Sequence, residues 1–380
     1  MEKRTMQNIY EEVTLLGFGC MRLPQKEGVI DYEQAEKMVD MALEGGITYF
    51  DTAYYYHDQT SEKFLGKALT ARHPRDTYTI ATKLPLSVIQ TAEDLEKTLN
   101  LQLARLNTSY IDFYMCHGLS ADAYFEKFKP MGIIEFLDRM VSIGKIRHYG
   151  FSTHDKPEGV KRLIDDAQWD FVQMQLNYLD WTEQKAHETY DNLVAKDIPV
   201  IVMEPIRGGG LANLADSPRQ LLERKFPGQS AASIALRWCG SLQGVKVVLS
   251  GMSTVAQMAE NLATFNHFVP LNEAEKQTVA NVVHALKALP VIPCTACNYC
   301  NVCPNDIAIP RVYARYNNYI MFNRPEELVF PYERFIPDGH RAEDCEECGI
   351  CVPFCPQSID IPGWMKRVVT KREQIKASAK

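Results

Sequence analysis

No stretch of the chain approaches the eighteen or so consecutive apolar residues that a membrane-spanning helix needs, and the opening MEKRTMQNIYEEV holds no apolar run of signal-peptide type. A basic excess is missing too. The 41 Lys and Arg face 48 Asp and Glu, a net charge of −7, so nothing draws the chain toward nucleic acid or an anionic membrane. The glycine fingerprint of a dinucleotide-binding doubly wound sheet is absent, because GFGCMR from Gly17 lacks the third glycine. Cysteine is scarce over most of the length: Cys20, Cys116 and Cys239 are alone in the first 290 residues. These absences leave a cytoplasmic globular protein as the expectation, without membrane or nucleic-acid partner and with its oligomeric state open.

What is present is enough apolar material for a large core, at 46% hydrophobic and 23% charged residues. Eight short runs rich in β-branched residues recur between amphipathic stretches: VTLLGFG, ITYFDTA, TYTIATKL, IDFYMCHG, IRHYGFST, FVQMQLN, PVIVMEP and VKVVLSG. Leu95, Leu99 and Leu106 repeat at helical spacing in one stretch, and Thr91 with Asp94, Thr254 with Gln257 and Asn272 with Glu275 read as helix starts. Nearly continuous apolar strands alternating with helices imply a parallel sheet covered by helices. Eight such units in about 250 residues predict an α/β protein built on a (β/α)8 TIM barrel, with a doubly wound sheet as runner-up. Pro290 and Pro293 break the pattern, so the barrel is placed at residues 1–286 and a small α-helical second domain at 287–380, whose cysteines give it a ferredoxin-like iron–sulfur reading below.

That second region holds the other eight cysteines. Cys294, Cys297, Cys300 and Cys303 precede Pro304; Cys345, Cys348, Cys351 and Cys355 precede Pro356. The second run has the C-x2-C-x2-C-x3-C-P spacing of bacterial ferredoxins, in which the fourth cysteine ligates the other cluster. Two [4Fe–4S] clusters with crossed ligation are therefore expected, one cluster being the lesser reading and zinc the rival. Cys294, Cys297, Cys300 and Cys355 would hold one cluster, and Cys345, Cys348, Cys351 and Cys303 the other. The first run departs by a short last gap, which puts the direction of Cys303 at issue. Tyr313, Tyr316 and Tyr319 recur at helical spacing between the runs, as packing against the barrel or, less simply, an electron path. From Lys366 to Lys380 six basic residues face one acid; this is a solvated helix end or frayed tail, or a docking strip for an acidic redox partner protein.

Barrel chemistry sits at the C-terminal ends of strands. There the sequence offers Asp51 after strand two with Tyr56 five residues on, Lys83 after strand three and His117 after strand four. A tyrosine near pKa 10 is a poor acid at neutral pH; a buried lysine stabilises its phenolate, an aspartate holds the lysine, and a histidine orients a carbonyl oxygen. Each has a bland alternative: Asp51 as a helix cap, His117 as a core group, Tyr54 or Tyr55 as the true donor.

The barrel resembles the aldo-keto reductase superfamily over roughly residues 10–265, through YFDTAYYYHDQTSEKFLGKAL, IATKL and YIDFYMCHG; the whole chain resembles members that carry a C-terminal 4Fe-4S ferredoxin-type domain. The resemblance implies an NAD(P)H-dependent oxidoreductase acting on a small-molecule carbonyl or alcohol. Tyr56 would be its acid/base, Asp51 and Lys83 the tuning pair, and His117 the substrate-orienting group. It further implies nucleotide contacts at Ser152, Gln173 and Asn177, at Met203 where many members stack an aromatic ring, and at Gly251, Met252, Glu260 and Asn261. Gly251 and Gln257 stand where many NADP-specific members carry basic residues, which leaves NAD and NADP both open; Arg207 is either a compensating cation or a solvated loop charge. A second reading is a nucleotide-binding redox sensor or electron-transfer module without turnover.

Overall fold

A computed structural model describes residues 1–294 and 296–378. Eight parallel strands close into a barrel: β1 (Leu16–Gly19), β2 (Tyr49–Asp51), β3 (Thr79–Leu84), β4 (Ile111–Cys116), β5 (Ile146–Thr153), β6 (Phe171–Gln175), β7 (Val200–Met203) and β8 (Val245–Ser250). Each pairs with the next in sequence, and β8 closes on β1 with Val248 opposite Leu16. All eight predicted runs become strands, and the runner-up doubly wound sheet does not form. Every residue of β3 and of β4 is buried, as expected of strands covered on both faces.

The first run divides in a way its pattern does not announce. Glu11–Thr14 pairs antiparallel with Lys3–Met6. The Thr14 hydroxyl then donates to Leu16 O at 2.9 Å and accepts from Thr48 N at 3.1 Å, and the barrel strand begins only at Leu16. The hairpin brings Met6 and Val13 into one buried cluster with Tyr49, Phe113 and Phe171, closing the N-terminal end of the barrel interior. Chemistry is thereby left to the opposite end.

The helix Ala92–Leu106 starts at the expected Thr91–Asp94 capping box, and Thr254 accepts from Gln257 N at 3.2 Å. Among the described residues no helix is long and apolar enough to cross a membrane.

The chain divides into two compact units. All eight strands lie in the first, Met1–Pro205 with Ser233–Asn272. The second gathers Ile206–Ala232 with the residues from Glu273 onward. Its helices include Asp216–Lys225 and Glu273–Lys287, which pack on each other, and Ile309–Phe322 and Ile361–Ser378. Its own core contains Val312, Tyr313, Leu328, Tyr332, Met365 and Val368.

The three tyrosines pack into the core of this unit: the Tyr313 hydroxyl donates to Ile361 O at 3.1 Å, and the Tyr316 ring lies 5.7 Å from that of Trp364. As far as Ser378 the basic tail is a solvated helix end, with Lys366, Arg367 and Lys376 exposed. It is helical to Ser378, and Arg372 is buried in it, with its guanidinium on Leu328 O (2.8 Å), Glu333 (3.0 Å) and Glu343, and 3.8 Å over the Tyr332 ring. Ala379 and Lys380, the last of that tail, lie outside the described residues.

Candidate active site and cysteine centres

Asp51 is the last residue of β2, Lys83 lies one residue before the end of β3, and His117 follows β4 directly. Lys83 is 1% exposed, and its ammonium donates to Asp51 Oδ1 (2.7 Å), Asp51 Oδ2 (2.8 Å) and Thr52 O (2.8 Å). Tyr56 is a further hydrogen-bond partner of this ammonium, so the buried charge is well satisfied. The same ammonium stands 5.0 Å from the centre of the Tyr56 ring, and that ring lies edge-on to His117 at 6.2 Å. The four predicted catalytic residues are brought together.

The neighbouring tyrosines are occupied elsewhere. The Tyr55 hydroxyl bonds Ser87 Oγ, and the Tyr54 ring lies under the Arg105 guanidinium at 4.4 Å. The Tyr55 ring also lies 6.0 Å from His117, and what singles out Tyr56 is its approach to Lys83; the turn after it is left-handed, with φ of +50°, +49° and +67° at His57, Asp58 and Gln59. Left-handed backbone costs L-residues about 1–2 kcal/mol each. The turn is held by Ser61 N on Tyr56 O (3.2 Å) and Thr60 N on His57 O (3.0 Å), while His57 Nε2 accepts from Leu23 N at 3.2 Å.

Burial works against the Lys83 charge, but Asp51 and Tyr56 outweigh it and its pKa lies above the ordinary value. The Asp51 carboxyl is pushed up by burial against the pull of Lys83. Burial also raises Tyr56; Lys83 opposes this without overcoming it. Lys83 thus acts in the expected direction, while desolvation is the larger effect and the net shift is upward. His117 is lowered to about 3 by burial, then by Lys83, then by His154, so its imidazole is neutral at physiological pH. Its Nδ1 is buried with no partner among the described residues.

Behind the tetrad stands a layer that residue-by-residue reading missed. Glu62, 1% exposed, accepts from Thr82 Oγ1 (2.7 Å) and Gln102 Nε2 (2.6 Å) and pairs with Arg105 at 3.2 Å; Gln102 Nε2 also donates to Lys83 O at 3.0 Å. Cys20 was missed as well: buried near Asp51 and Lys83, its thiol is pushed up by burial and then by Asp51.

The predicted nucleotide residues fall on the later strands, on the segments after them, and, for Glu260 and Asn261, on the helix Val255–Asn266. Ser152, in β5, accepts from Gly118 N at 2.9 Å. Gln173, in β6, donates to Met203 Sδ at 3.7 Å, while its own Oε1 is buried without a partner among the described residues. The Asn177 amide is engaged within the fold: it donates to Asp180 Oδ2 (2.7 Å) and Glu204 O (3.1 Å) and accepts from Leu179 N and Asp180 N (3.1 and 2.9 Å). Met252 is buried, Asn261 Nδ2 donates to Ser250 Oγ at 2.8 Å, and Glu260 is exposed. Gly251 lies against Arg22, whose side-chain carbons are 3.3 Å from where a Cβ would stand. Arg22 is thus a cation beside the segment that carries none of its own at Gly251 or Gln257, and only the folded chain reveals it.

In the second unit, Cys294, Cys297, Cys300 and Cys355 line one cavity, and Cys303, Cys345, Cys348 and Cys351 line another. Ile309 and Ile361 line both. Burial raises the Cys300 thiol, with further upward pushes from Cys294, Cys297 and Cys355; burial raises Cys351 to about 11, with Cys303, Cys345 and Cys348 adding to it. Each set feels its own fourth member. Four thiols facing one space make a soft donor set of the kind that takes iron–sulfur clusters or zinc. Among the described residues no three His, Cys, Asp or Glu side chains converge on a single ion.

Comparison with known proteins bears on the barrel. The chain is 27% identical over 304 residues to L-galactose dehydrogenase of Arabidopsis thaliana, covering 74% of this chain and 93% of that protein. It superposes on the holo form of an aldo-keto reductase from Bacillus halodurans with a TM-score of 0.62 at 26% identity, covering 74% of this chain and 96% of that one. The structure of an aldo/keto reductase from Klebsiella pneumoniae in complex with NADP and acetate shares the fold, with a TM-score of 0.62 at 19% identity and coverages of 74% and 96%. The model of the aldo/keto reductase family matches residues 15–283, which span all eight strands and the tetrad. The chain belongs to the aldo/keto reductase family and is an oxidoreductase of that type.

Proposed function

We propose that the chain is an NAD(P)H-dependent reductase of a small carbonyl compound, reversible as an alcohol dehydrogenase, with Tyr56 as the general acid and base. The observation that carries this reading is the Tyr56 ring 5.0 Å from a buried Lys83 ammonium that Asp51 holds charged, beside a neutral His117. In the balanced reaction one carbonyl compound, one NAD(P)H and one proton give one alcohol and one NAD(P)+. The nicotinamide, when bound, supplies the hydride. Tyr56 gives its phenolic proton to the carbonyl oxygen, and the phenolate left behind faces Lys83. His117, neutral, donates a ring N–H to the same oxygen and fixes its position. In the reverse direction the Tyr56 phenolate takes the alcohol proton.

The residues suit a nicotinamide carboxamide. The buried Gln173 Oε1 needs a donor, and the Ser152 hydroxyl, already accepting from Gly118 N, keeps its proton to donate. Arg22 beside Gly251 supports NADP over NAD, since a guanidinium suits a phosphate. The assembled tetrad favours turnover over a sensing or purely electron-carrying role. For the second unit, the two four-thiol cavities support two [4Fe–4S] clusters in crossed sets, with Cys355 joining the first run and Cys303 the second. Such clusters supply one-electron chemistry when present.

Tyr56→Phe is the direct test. Carbonyl reduction should fall to background with the Kd for NADPH unchanged; retained turnover overturns the assignment. Iron and sulfide analysis of anaerobically prepared protein should give about eight irons per chain, and about four would reduce the proposal to one cluster.

A further inference from the structure

The loop that leaves β1 is held from two sides. On one side stands His57, the residue after Tyr56. Its Nε2 accepts from Leu23 N at 3.2 Å, and the Gln25 amide lies 2.9 Å from its Nδ1. A ring nitrogen that receives a backbone N–H carries no proton of its own. The neutral ring therefore keeps its proton on Nδ1 and donates it to the Gln25 amide oxygen. Burial favours that neutral form by lowering the His57 pKa. Four residues on, Ser61 Oγ donates to Cys20 O at 3.1 Å. The turn that carries Tyr56 thus grips the loop at Cys20, Leu23 and Gln25.

On the other side stands the segment after β8. Ser253 Oγ donates to Arg22 O at 2.8 Å, and the Cβ, Cγ and Cδ atoms of Arg22 fill the room in front of Gly251, each 3.3 Å from where a Cβ would stand there. Every residue of this arrangement belongs to the first unit, at the strand ends that also carry the tetrad. Arg22 itself is exposed, and its own short turn, Cys20–Arg22, has no side-chain cap. What fixes it is the pair of grips on either side. A long, exposed side chain that must order itself on binding loses part of the affinity it supplies, so a backbone held in place beforehand favours the bound form.

We propose that His57 is a positioning residue for Arg22: by clasping Leu23 and Gln25 it holds the guanidinium beside Gly251 for the phosphate that distinguishes NADPH from NADH, so that the turn carrying the catalytic tyrosine also sets the choice of nucleotide. The inference rests on the NADP reading above. Because that phosphate is the one chemical difference between the two nucleotides, a change that acts through Arg22 moves the ratio of their Kd values. A general loosening of the barrel mouth weakens both alike and leaves the ratio where it was.

The test reads the Kd for NADPH and for NADH, without turnover, in the full-length protein. Arg22→Ala should weaken NADPH about tenfold and change NADH by less than about twofold. His57→Asn is too short to reach Leu23 N yet suits the left-handed backbone at that position, and it should weaken NADPH about fivefold with NADH again little changed. His57→Gln, whose amide oxygen can take the place of Nε2, should stay close to wild type. In Arg22→Ala/His57→Asn the second change should add nothing to the loss of NADPH affinity from the first. Should His57→Asn fail to fold, Gln25→Ala, at an exposed position, removes the other half of the clasp and should weaken NADPH about threefold. A folded His57→Asn protein, or in its place Gln25→Ala, with the wild-type ratio of Kd values overturns the inference alone, as does a double variant whose losses simply add. An Arg22→Ala protein with the wild-type ratio, or a wild type that does not prefer NADPH, overturns the NADP reading, and this inference with it.

Discussion

Replacing Lys83 by Met removes the charge that the structure sets beneath the Tyr56 ring. The magnitude follows from the geometry. A unit positive charge 5.0 Å from the ring centre acts on whatever negative charge develops there as the proton leaves. At an effective dielectric constant of about 20 the interaction is roughly 3 kcal/mol for a full charge and about half that for half a charge. Because this charge exists in the transition state and not in the ground state, the loss falls on kcat. At 1.36 kcal/mol per tenfold, it is between about 15-fold and 250-fold. Lys83→Met also leaves the buried Asp51 carboxylate unpaired, so Asp51→Asn/Lys83→Met should be measured beside it to separate loss of field from loss of fold. The assay is single-turnover reduction of a carbonyl substrate at saturating NADPH. Both variants should be slow with the Kd for NADPH preserved. Alcohol oxidation, which needs the phenolate, should show its alkaline rise at higher pH than wild type, since removing Lys83 removes the effect that opposes the upward shift of Tyr56. Folded variants with kcat within about threefold of wild type and an unmoved oxidation profile would refute the argument.

Other outcomes follow from the same coordinates. With His117 lowered to about 3, its imidazole is already neutral across the acid range, so reduction should show no limb near pH 6.5; a limb there that vanishes in His117→Gln would contradict the burial argument. Cys303→Ser should disturb the centre shared with Cys345, Cys348 and Cys351 and spare the other, leaving about half the iron with one altered spectroscopic signal; disturbance confined to the Cys294 set would reverse the pairing. Glu62→Ala strands the Thr82, Gln102 and Arg105 donors in a buried layer, and urea unfolding of the barrel should show a loss of about 3 kcal/mol, with less than 1 kcal/mol counting against that layer's role.

Some of these features could be read from the chain because short-range spacing dictates them. The eight apolar runs became strands, since buried β-branched residues between helical stretches have few alternatives in a chain this long. Asp51, Lys83 and His117 could be placed because a strand end is a local landmark, and the tight cysteine gaps because ligand geometry demands them. Where several adjacent residues of one type compete, spacing is silent. Only the fold shows that Tyr56 is the tyrosine near Lys83, while Tyr55 and Tyr54 engage Ser87 and Arg105, which lie 32 or more residues from them.

The sequence alone determined the barrel, the residues at its catalytic end and the presence of two four-cysteine runs, because each depends on periodicity or spacing over fewer than about twenty residues. The tertiary structure decided what depends on meetings across the chain. Cys303 crosses to the second run despite its short gap, and Arg22 arrives beside Gly251 from the far side of the β1–β8 seam. Asn177 is engaged within the fold, and burial outweighs Lys83 in setting the Tyr56 proton. Distances, desolvation and the competition between them exist only once the chain has closed on itself, and that is why these four could not be read one residue at a time.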